Sequence, residues 1–254
     1  MITADQIHEL ALKFNINDTV IFREYIQLAF LQKLYQETAS QNIYFKGGTA
    51  IHIIYHAPRF SEDLDFTVDL PQPEFKRCME KVLKRMQEEE IVHWKEKQSI
   101  AVKTILLTAE PGILPYRTFV NLDFSFREKA LSPKRSIIQT EYPIIFTSYA
   151  YHLSAEEILA EKILAIMTRR KGRDLYDLWY LLSKGVSANN DLVRKKIAYY
   201  KLDKVTNEDI RNKIASFPEK EFILDLRPFV PQRERERLGS FLLYLKDQVN
   251  QSLR

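Results

Sequence analysis

Cysteine is almost absent from this 254-residue chain, which contains Cys78 alone. One cysteine cannot form an internal disulfide, so a disulfide-stapled secreted domain is excluded and a reducing compartment is favoured. No apolar run approaches the roughly 18 residues that a membrane-spanning helix needs. The first ten residues also lack the basic and then apolar pattern of a signal peptide. We therefore expect a cytoplasmic protein.

Glycine is scarce as well, with 6 residues, and the excess of positive charge is small, with a formal net charge of +4. Few glycines and many helix-forming residues predict a mixed fold with much helix. A net charge of this size permits a nucleic-acid partner but does not require one. Composition alone therefore leaves the class of substrate open.

The pattern of apolar residues changes near residue 150. Helical patterns before it cover 3–38, 49–56 and 74–90, and β-like runs cover 42–45, 63–68, 91–94, 102–108, 118–126 and 144–146. After it, a capping-box pattern at 154–157 starts a helix that Gly172 is predicted to end, and further helices follow. We predict two domains, a mixed α/β domain at 1–150 and a helical domain at 151–254.

Asp63 and Asp65 lie two residues apart in a predicted strand, so their side chains point to the same face of the sheet. Two neighbouring carboxylates repel each other unless a cation lies between them. Mg²⁺ prefers oxygen ligands and bridges carboxylates to phosphate oxygens, as phosphoryl transfer requires. The pair indicates such a site, although a D-x-D on a solvated sheet face also occurs by chance.

Gly47 and Gly48 follow a short predicted strand and precede a predicted helix. Glycines at such a junction let the backbone approach a phosphate closely, and the free N–H groups of the helix attract it. An ordinary tight turn is the alternative explanation for two glycines alone. The order strand, Gly-Gly, helix and then a strand with D-x-D is more specific than either part.

Asp123 is the candidate for a third carboxylate. It lies on the polar side of an amphipathic strand, together with Asn121 and Ser125, while apolar residues occupy the other side. A solvated sheet face without a special role is the alternative. Glu110 and Asp69 are weaker candidates for the same position.

Two groups of residues carry a resemblance to a known family. The runs GGTA at 47–50 and RFSEDLDF at 59–66 resemble the signature of AbiEii-type nucleotidyltransferase toxins, within the DNA polymerase β-like nucleotidyltransferase superfamily. The runs EILAEKILA at 157–165 and GRDLYDL at 172–178, with Arg169 between them, resemble the helical-domain motifs of the family. These blocks all lie between residues 45 and 180.

The resemblance implies an α+β fold, with a polymerase β-like core of mixed sheet and flanking helices followed by an all-helical C-terminal domain that closes over the nucleotide. Members of the family are toxins of bacterial toxin–antitoxin systems, some of them active in phage defence. They use an NTP and Mg²⁺, and some add nucleotides to the 3′ end of tRNA. The expected partners are therefore an NTP, a tRNA acceptor and a cognate antitoxin protein.

The resemblance also assigns roles to individual residues. It implies metal binding by Asp63 and Asp65. The strand pattern adds Asp123 as the candidate third ligand. It implies that Lys162 and Asp174 complete the nucleotide site from the helical domain. The residues expected to bind or position the nucleotide phosphates are Lys46, Gly47, Gly48, Thr49, Arg59 and Ser61.

The second half of the chain leaves alternatives open. Lys162 shares a helix face with apolar residues, where a lysine must either extend to water or meet an anion such as a triphosphate. Asp174 could instead cap its helix, and Asp177 could pair with Arg173 or Arg170. A basic cluster between the two helices could bind RNA phosphates or be a solvated helix end; its members are Arg169, Arg170, Lys171 and Arg173.

The leading hypothesis is a Mg²⁺-dependent nucleotidyltransferase that transfers NMP from an NTP to an acceptor hydroxyl, and the resemblance favours a tRNA 3′ end. A small molecule or a protein side chain is the alternative acceptor. A catalytically inactive binding module is the second alternative. The intact pair Asp63 and Asp65 argues against it, because a retired site has no reason to keep two carboxylates that repel each other.

Overall fold

The structure is a computed structural model that describes residues 1–90, 92–97, 102–110, 112–200 and 205–252. The strands are β1 (Ile43–Lys46), β2 (Leu64–Val68), β3 (Val92–Lys97), β4 (Val102–Ala109), β5 (Thr118–Ser125), β6 (Pro133–Ser136) and β7 (Ala150–Leu153). The helices are α1 (Ala4–Phe14), α2 (Asp18–Leu34), α3 (Gly47–Ile53), α4 (Gln72–Glu89), α5 (Ala155–Thr168), α6 (Gly172–Ser183), α7 (Asn190–Tyr200), α8 (Asn207–Ala215), α9 (Glu219–Leu226) and α10 (Leu238–Ser252).

The chain forms two compact units. The first consists of Met1–His56 and Phe60–Leu153, and it contains the sheet. The second consists of Ser154–Arg254 together with the short segment Ala57–Arg59, which precedes β2 in the sequence. The helical unit is therefore built from two separate stretches of the chain.

The seven strands form one mixed sheet in the order β3-β4-β5-β2-β1-β7-β6. The pairs β2–β5 and β1–β7 are parallel, and the other neighbours are antiparallel. The parallel pair β2–β5 aligns Leu64 with Leu122 and Asp65 with Asp123. Paired residues share a face of the sheet, so one face of this pair is apolar and the other is acidic.

The apolar face of the sheet is covered by α2 and α4. Phe66 of β2 stacks on Phe124 of β5 with ring centroids 4.9 Å apart. Phe30 of α2 lies 6.2 Å from the first ring and Phe75 of α4 lies 4.9 Å from the second. Each such aromatic side chain contributes about 1.5–3 kcal/mol when it is fully buried. This aromatic cluster fixes which face of the strands is the core face.

The helix predicted at 3–38 is two helices. It is interrupted at Asn15, which has a φ of 53° and ends α1. Asparagine adopts this left-handed conformation more easily than most residues, and it is a common helix terminator for that reason. Similarly, the helix predicted from Thr49 begins at Gly47, so the two glycines are its first residues and not a turn before it.

The strand predicted at 144–146 is wrong. That segment is irregular and leaves Ile145 79% exposed, and it follows Pro143, which has no backbone N–H to donate to a sheet. The strands of this region are β6 and β7, which pair with each other. The strand predicted at 91–94 is β3, except that Ile91 lies outside the described residues.

The helical unit begins as the capping pattern predicts. The Ser154 hydroxyl accepts a hydrogen bond of 3.2 Å from the Glu157 N–H at the start of α5. The predicted role of Gly172 is wrong, since α5 ends at Thr168 and Gly172 begins α6. A Cβ at Gly172 would lie 2.9 Å from the Cα of Phe222, so close packing against α9 explains the glycine.

The described helices include none with both the length and the apolar character that a bilayer crossing requires.

Candidate functional site

Four polar residues lie together on the face of the sheet opposite the aromatic core, which we call the outer face. Asp65 of β2 lies directly beside Asp123 of β5, at the strand spacing of about 4.8 Å. Asn121, two residues before Asp123, donates a 2.8 Å hydrogen bond from Nδ2 to Oδ1 of Asp63. Asp63 thus shares this face, although it lies just before β2. We call Asp63, Asp65, Asn121 and Asp123 the carboxylate patch.

Neutral donors hold two of the three carboxylates of the patch. Asn121 holds Asp63, and Thr104 of β4 donates a 2.5 Å hydrogen bond from Oγ1 to Oδ1 of Asp123. β4 lies on the opposite side of β5 from β2, so the donor to Asp123 comes from the neighbouring strand that does not carry Asp65. Among the described residues, no three acidic, histidine or cysteine side chains converge on a point where a metal ion could be held.

Gly47 lies against the carboxylate patch. Its φ is +76°, a conformation that other residues rarely adopt. A Cβ built at this position would lie 2.3 Å from Oδ2 of Asp65. Glycine is therefore required here twice, by the backbone conformation and by the position of the Asp65 carboxylate. The structure brings the glycine pair and the D-x-D pair together.

The loop that carries Asp63 is anchored by two buried side chains. The Thr49 hydroxyl donates to the Asp63 carbonyl oxygen. Nε2 of Gln27 in α2 donates to the carbonyl oxygens of Glu62 at 2.8 Å and Ser61 at 3.3 Å. Thr49 is fully buried and directs its hydroxyl at the backbone. No motif points to Gln27, and its only signal in the sequence is a polar residue within the apolar stretch of α2.

Lys46 forms a buried ion pair beside the patch. It faces Asp65 across the β1–β2 pair, and its Nζ lies 2.9 Å from Oε1 of Glu128. Lys46 is 9% exposed and Glu128 is 3% exposed. Glu128 follows β5 in an irregular segment, and no motif pointed to it. The predicted phosphate-binding lysine thus has a carboxylate partner from its own unit.

The two weaker candidates for the third carboxylate form other ion pairs. Glu110 lies 2.8 Å from Nε of Arg117, and Asp69 lies 3.5 Å from Nζ of Lys129. Asp123 is the one of the three candidates that occupies the position beside Asp65.

The helical unit contains a separate group of buried charges, which we call the charge network: Arg59, Lys162, Asp174 and Asp177. Nζ of Lys162 lies 2.8 Å from a carboxylate oxygen of each aspartate. Arg59 donates two hydrogen bonds to Asp177, of 2.7 Å from Nε and 2.5 Å from Nη2. Asp174 also accepts a 2.7 Å hydrogen bond from Arg169. Bidentate pairs of this kind are strong and directional.

The ion pairs of the charge network decide its protonation. Burial alone would raise the pKa of Asp174, but Lys162 and Arg169 outweigh burial and hold that pKa well below its ordinary value. Burial would lower the pKa of Lys162, and the two aspartates raise it instead. The pKa of Arg59 is likewise raised by Asp177 against the effect of burial. Arg59, Lys162 and Asp174 are therefore charged at neutral pH.

Two local expectations for the second half are wrong, the pairing of Asp177 and the capping role of Asp174. Asp177 pairs with Arg59 and Lys162, not with Arg173 or Arg170. Asp174 lies in the first turn of α6, whose cap residue is Lys171, and so it is not the cap. The basic cluster is largely engaged within its own unit, by Arg169–Asp174 at 2.7 Å, Arg170–Glu221 at 3.0 Å, Lys171–Asp225 at 3.8 Å and Arg173 over the Phe229 ring at 4.7 Å.

We predict that Asp177→Asn destabilises the protein by about 3–5 kcal/mol, because it leaves the buried guanidinium of Arg59 without a full countercharge. Asp191→Asn is the matched control, since Asp191 pairs with Arg194 at 2.9 Å on the surface and an exposed pair contributes at most about 1 kcal/mol. Denaturant unfolding of both variants measures the difference. Equal losses of unfolding free energy would contradict a structural role for the network.

A second prediction concerns acid. The folded pKa of Asp174 lies below its unfolded value of about 3.9. This carboxylate therefore adds stability that is complete above the unfolded pKa and is lost as the pH falls toward the folded pKa. We expect the difference in unfolding free energy between the unmodified protein and Asp174→Asn to shrink below about pH 5. Unfolding curves between neutral and acid pH test this, and a constant difference would contradict it.

Comparison with known proteins places these features in a family. The family model described as nucleotidyl transferase AbiEii toxin, type IV toxin–antitoxin system, matches residues 29–249. No curated protein sequence matches the chain. Solved structures that share its fold include two nucleotidyltransferases. MenT4, a nucleotidyltransferase toxin from Mycobacterium tuberculosis, has a TM-score of 0.66 at 16% identity, over 100% of this chain and 94% of that one.

The second solved structure is a provisionally assigned nucleotidyltransferase from H. pylori, with a TM-score of 0.61 at 19% identity, over 94% of this chain and 97% of that one. At these identities the two structures support the fold alone, and the α+β fold with its mixed sheet and flanking helices is confirmed. The family match, which covers most of the chain, carries the assignment. The protein belongs to the AbiEii family of nucleotidyltransferase toxins of toxin–antitoxin systems.

Proposed function

We propose that the protein transfers NMP from an NTP to an acceptor hydroxyl in a Mg²⁺-dependent reaction, and that the acceptor is the 3′ end of a tRNA. One observation carries the proposal. Asp63, Asp65 and Asp123 share one face of the sheet beside Gly47, whose missing side chain leaves room for the Asp65 carboxylate. Members of the family generally use a divalent metal, which accords with three carboxylates at this position.

The residue types of the carboxylate patch fit Mg²⁺. Carboxylate oxygens are its preferred protein ligands, and Asp63, Asp65 and Asp123 would hold it. When bound, such a metal neutralises charge on the polyphosphate and polarises the attacking hydroxyl. Asp63 and Asp123 form no ion pair with any described residue, so at these two carboxylates a cation would replace hydrogen bonds from neutral groups. Glu110 and Asp69, by contrast, would each have to give up a basic partner.

The other residues of the first unit would position the reacting groups. The backbone at Gly47 and Gly48 would approach the phosphates, since glycine has no side chain of its own. Thr49 and Gln27 hold the loop of Asp63 through its carbonyl groups. In this proposal Thr49 acts through the backbone of Asp63 and does not contact phosphate itself.

The remaining residues that the resemblance singled out keep a predicted role. Ser61 lies in the anchored loop, where its carbonyl group is bound by Gln27. Lys162 and Arg59 are paired with Asp174 and Asp177 inside the helical unit, and a phosphate would have to compete with these carboxylates. Direct nucleotide binding by Lys162, Asp174 and Arg59 stays a prediction.

The tRNA acceptor, the cytoplasmic location and a role in phage defence are proposed on the basis of family membership. For the tRNA acceptor, the chain itself adds the modest positive charge of +4. A cognate antitoxin is the expected protein partner of a toxin in this family.

We predict that Asp65→Asn lowers nucleotide transfer by about a hundredfold or more, because loss of a metal ligand costs at least as much as loss of a group supporting one. The measurement is incorporation of each of four labelled NTPs into total RNA, with Mg²⁺ present or removed by a chelator. Asp69→Asn is the matched control, since Asp69 lies in the same segment but pairs with Lys129.

Three outcomes of this assay decide the proposal. Loss of labelling in Asp65→Asn but not in Asp69→Asn supports it. Full labelling by Asp65→Asn rejects the carboxylate patch as the catalytic centre. Labelling of small metabolites or of protein in place of RNA rejects the tRNA acceptor and keeps the transferase chemistry.

We further predict that Gly47→Ala lowers transfer at least tenfold, whereas Gly185→Ala leaves it unchanged. Both glycines have a left-handed φ, +76° and +79°, so each variant carries a backbone strain of about 1–3 kcal/mol. Only the first substitution places a Cβ on a functional group, because nothing lies within 4 Å of a Cβ at Gly185. Transfer rates and unfolding free energies of both variants separate displacement of Asp65 from simple strain, and equal activities would contradict the assignment.

A further inference from the structure

The outer face of the sheet continues beyond the carboxylate patch and remains accessible to solvent. Along β5 and β4 the core-side residues except Lys103 are buried, and the outward ones, apart from Phe119, are half-buried. Phe119, on the outer face, is 47% exposed, which is unusual for a phenylalanine. All residues of β3 after Val92 are exposed. This part of the sheet presents a surface next to the candidate active site.

The surface combines apolar and basic groups in a defined arrangement. We call its six outward residues the strand platform: His93, Lys95, Lys97, Leu106, Thr108 and Phe119. Strand register places Phe119 beside Thr108 and His93, and it places Asn121 of the carboxylate patch beside Leu106 and Lys95. Lys97 lies in the same row as Thr104 and Asp123. Leu106 of the platform thus pairs directly with Asn121 of the carboxylate patch, and the two surfaces are continuous.

The positive charge of β3 is confined to one face. His93, Lys95 and Lys97 alternate with Trp94 and Glu96, so the basic residues all point outward. Glu96, on the opposite face, lies 3.9 Å from Lys103. Neither Lys95 nor Lys97 has an ion-pair partner in the part of the chain that the structure describes. Lys95 and Lys97 lie beside the carboxylate patch. Their charge is complementary to a polyanion that extends to that patch.

The dimensions suit an extended chain of a few nucleotides. Phe119 lies four residues before Asp123 on β5, which is about 14 Å along the strand. Lys97 lies two strands away from Asp123, or about 10 Å. The Phe119 ring at one end can stack on a base, and the lysines along one side can bind phosphates. The carboxylate patch lies at the other end, where the reaction would take place.

We propose that the strand platform binds the single-stranded 3′-terminal nucleotides of a nucleic-acid acceptor, with a base stacked on Phe119 and phosphates on Lys95 and Lys97. This proposal rests on the proposed function, because it directs the terminal hydroxyl to the carboxylate patch. Aromatic stacking together with basic groups is the usual means of binding single strands. A protein partner is less suited, because one ring and one leucine flanked by cations do not make the apolar centre of a protein interface.

The test measures equilibrium binding of a fluorescent single-stranded RNA oligonucleotide to the full-length protein. We expect Phe119→Ala to weaken binding about tenfold, since stacking of one base accounts for roughly 5- to 150-fold in affinity. Phe119→Tyr retains an aromatic face and should restore binding.

Lys95→Glu with Lys97→Glu should weaken binding and flatten its dependence on salt concentration, because fewer counterions are released.

The matched control for the lysine variant is Lys76→Glu with Lys84→Glu. Both residues are exposed on α4, which packs against the core face of the sheet. This double variant changes the net charge by the same amount without touching the platform. Equal weakening by both double variants would reduce the effect to overall charge and overturn the proposal. Unfolding measurements confirm that each variant is folded.

Failure of this proposal and failure of the proposed function give different results. Unchanged RNA binding and salt dependence in the platform variants overturn the platform, whatever the transfer assay shows. A second result would also overturn the platform: Phe119→Ala loses binding of the cognate antitoxin but keeps RNA binding. That result would assign the surface to a protein interface. If the unmodified protein binds RNA through the platform but labels none, the platform stands and the tRNA acceptor chemistry fails.

Discussion

The parallel pairing of β2 with β5 determines where the functional groups of the sheet lie. Because Leu64 aligns with Leu122 and Asp65 with Asp123, one register places aromatic side chains in the core and carboxylates on the outer face. A slip of one residue would exchange the two faces and bury the acids. The stacked rings of Phe66 and Phe124 oppose such a slip. Hydrophobic packing on one side therefore holds the charged groups in place on the other.

The charge network and the carboxylate patch hold their charged side chains in different ways. In the charge network each aspartate contacts Lys162 and one arginine, so both carboxylates have cationic partners within the helical unit. In the carboxylate patch Asp63 and Asp123 are held by an amide and a hydroxyl. Balanced ion pairs are costly to break one partner at a time, whereas neutral donors are exchanged at lower cost. The first arrangement suits a rigid support, and the second suits a site that receives a cation.

The sequence predicts those features that depend on neighbouring residues well. It predicts poorly those that depend on contacts between distant parts of the chain. Alternation along β5 placed Asp123 on the outer face, and the resemblance indicated the fold. The strands β6 and β7 were missed because β6 is short and polar and depends on pairing with β7. Glu128, Gln27 and the partners of Asp177 were missed because they come from distant parts of the chain. The start of α3 at Gly47 was misplaced because two adjacent glycines usually indicate a turn.

The segment Ala57–Arg59 gives the helical unit an uncommon topology. Its polypeptide enters that unit, leaves after three residues and returns only at Ser154. A fragment expressed from Ser154 onward would lack the guanidinium that satisfies Asp177 in its interior. The second unit is consequently not a module that recombination or proteolysis could separate at residue 153. Any exchange of this unit between related toxins must carry along a short piece of the preceding half.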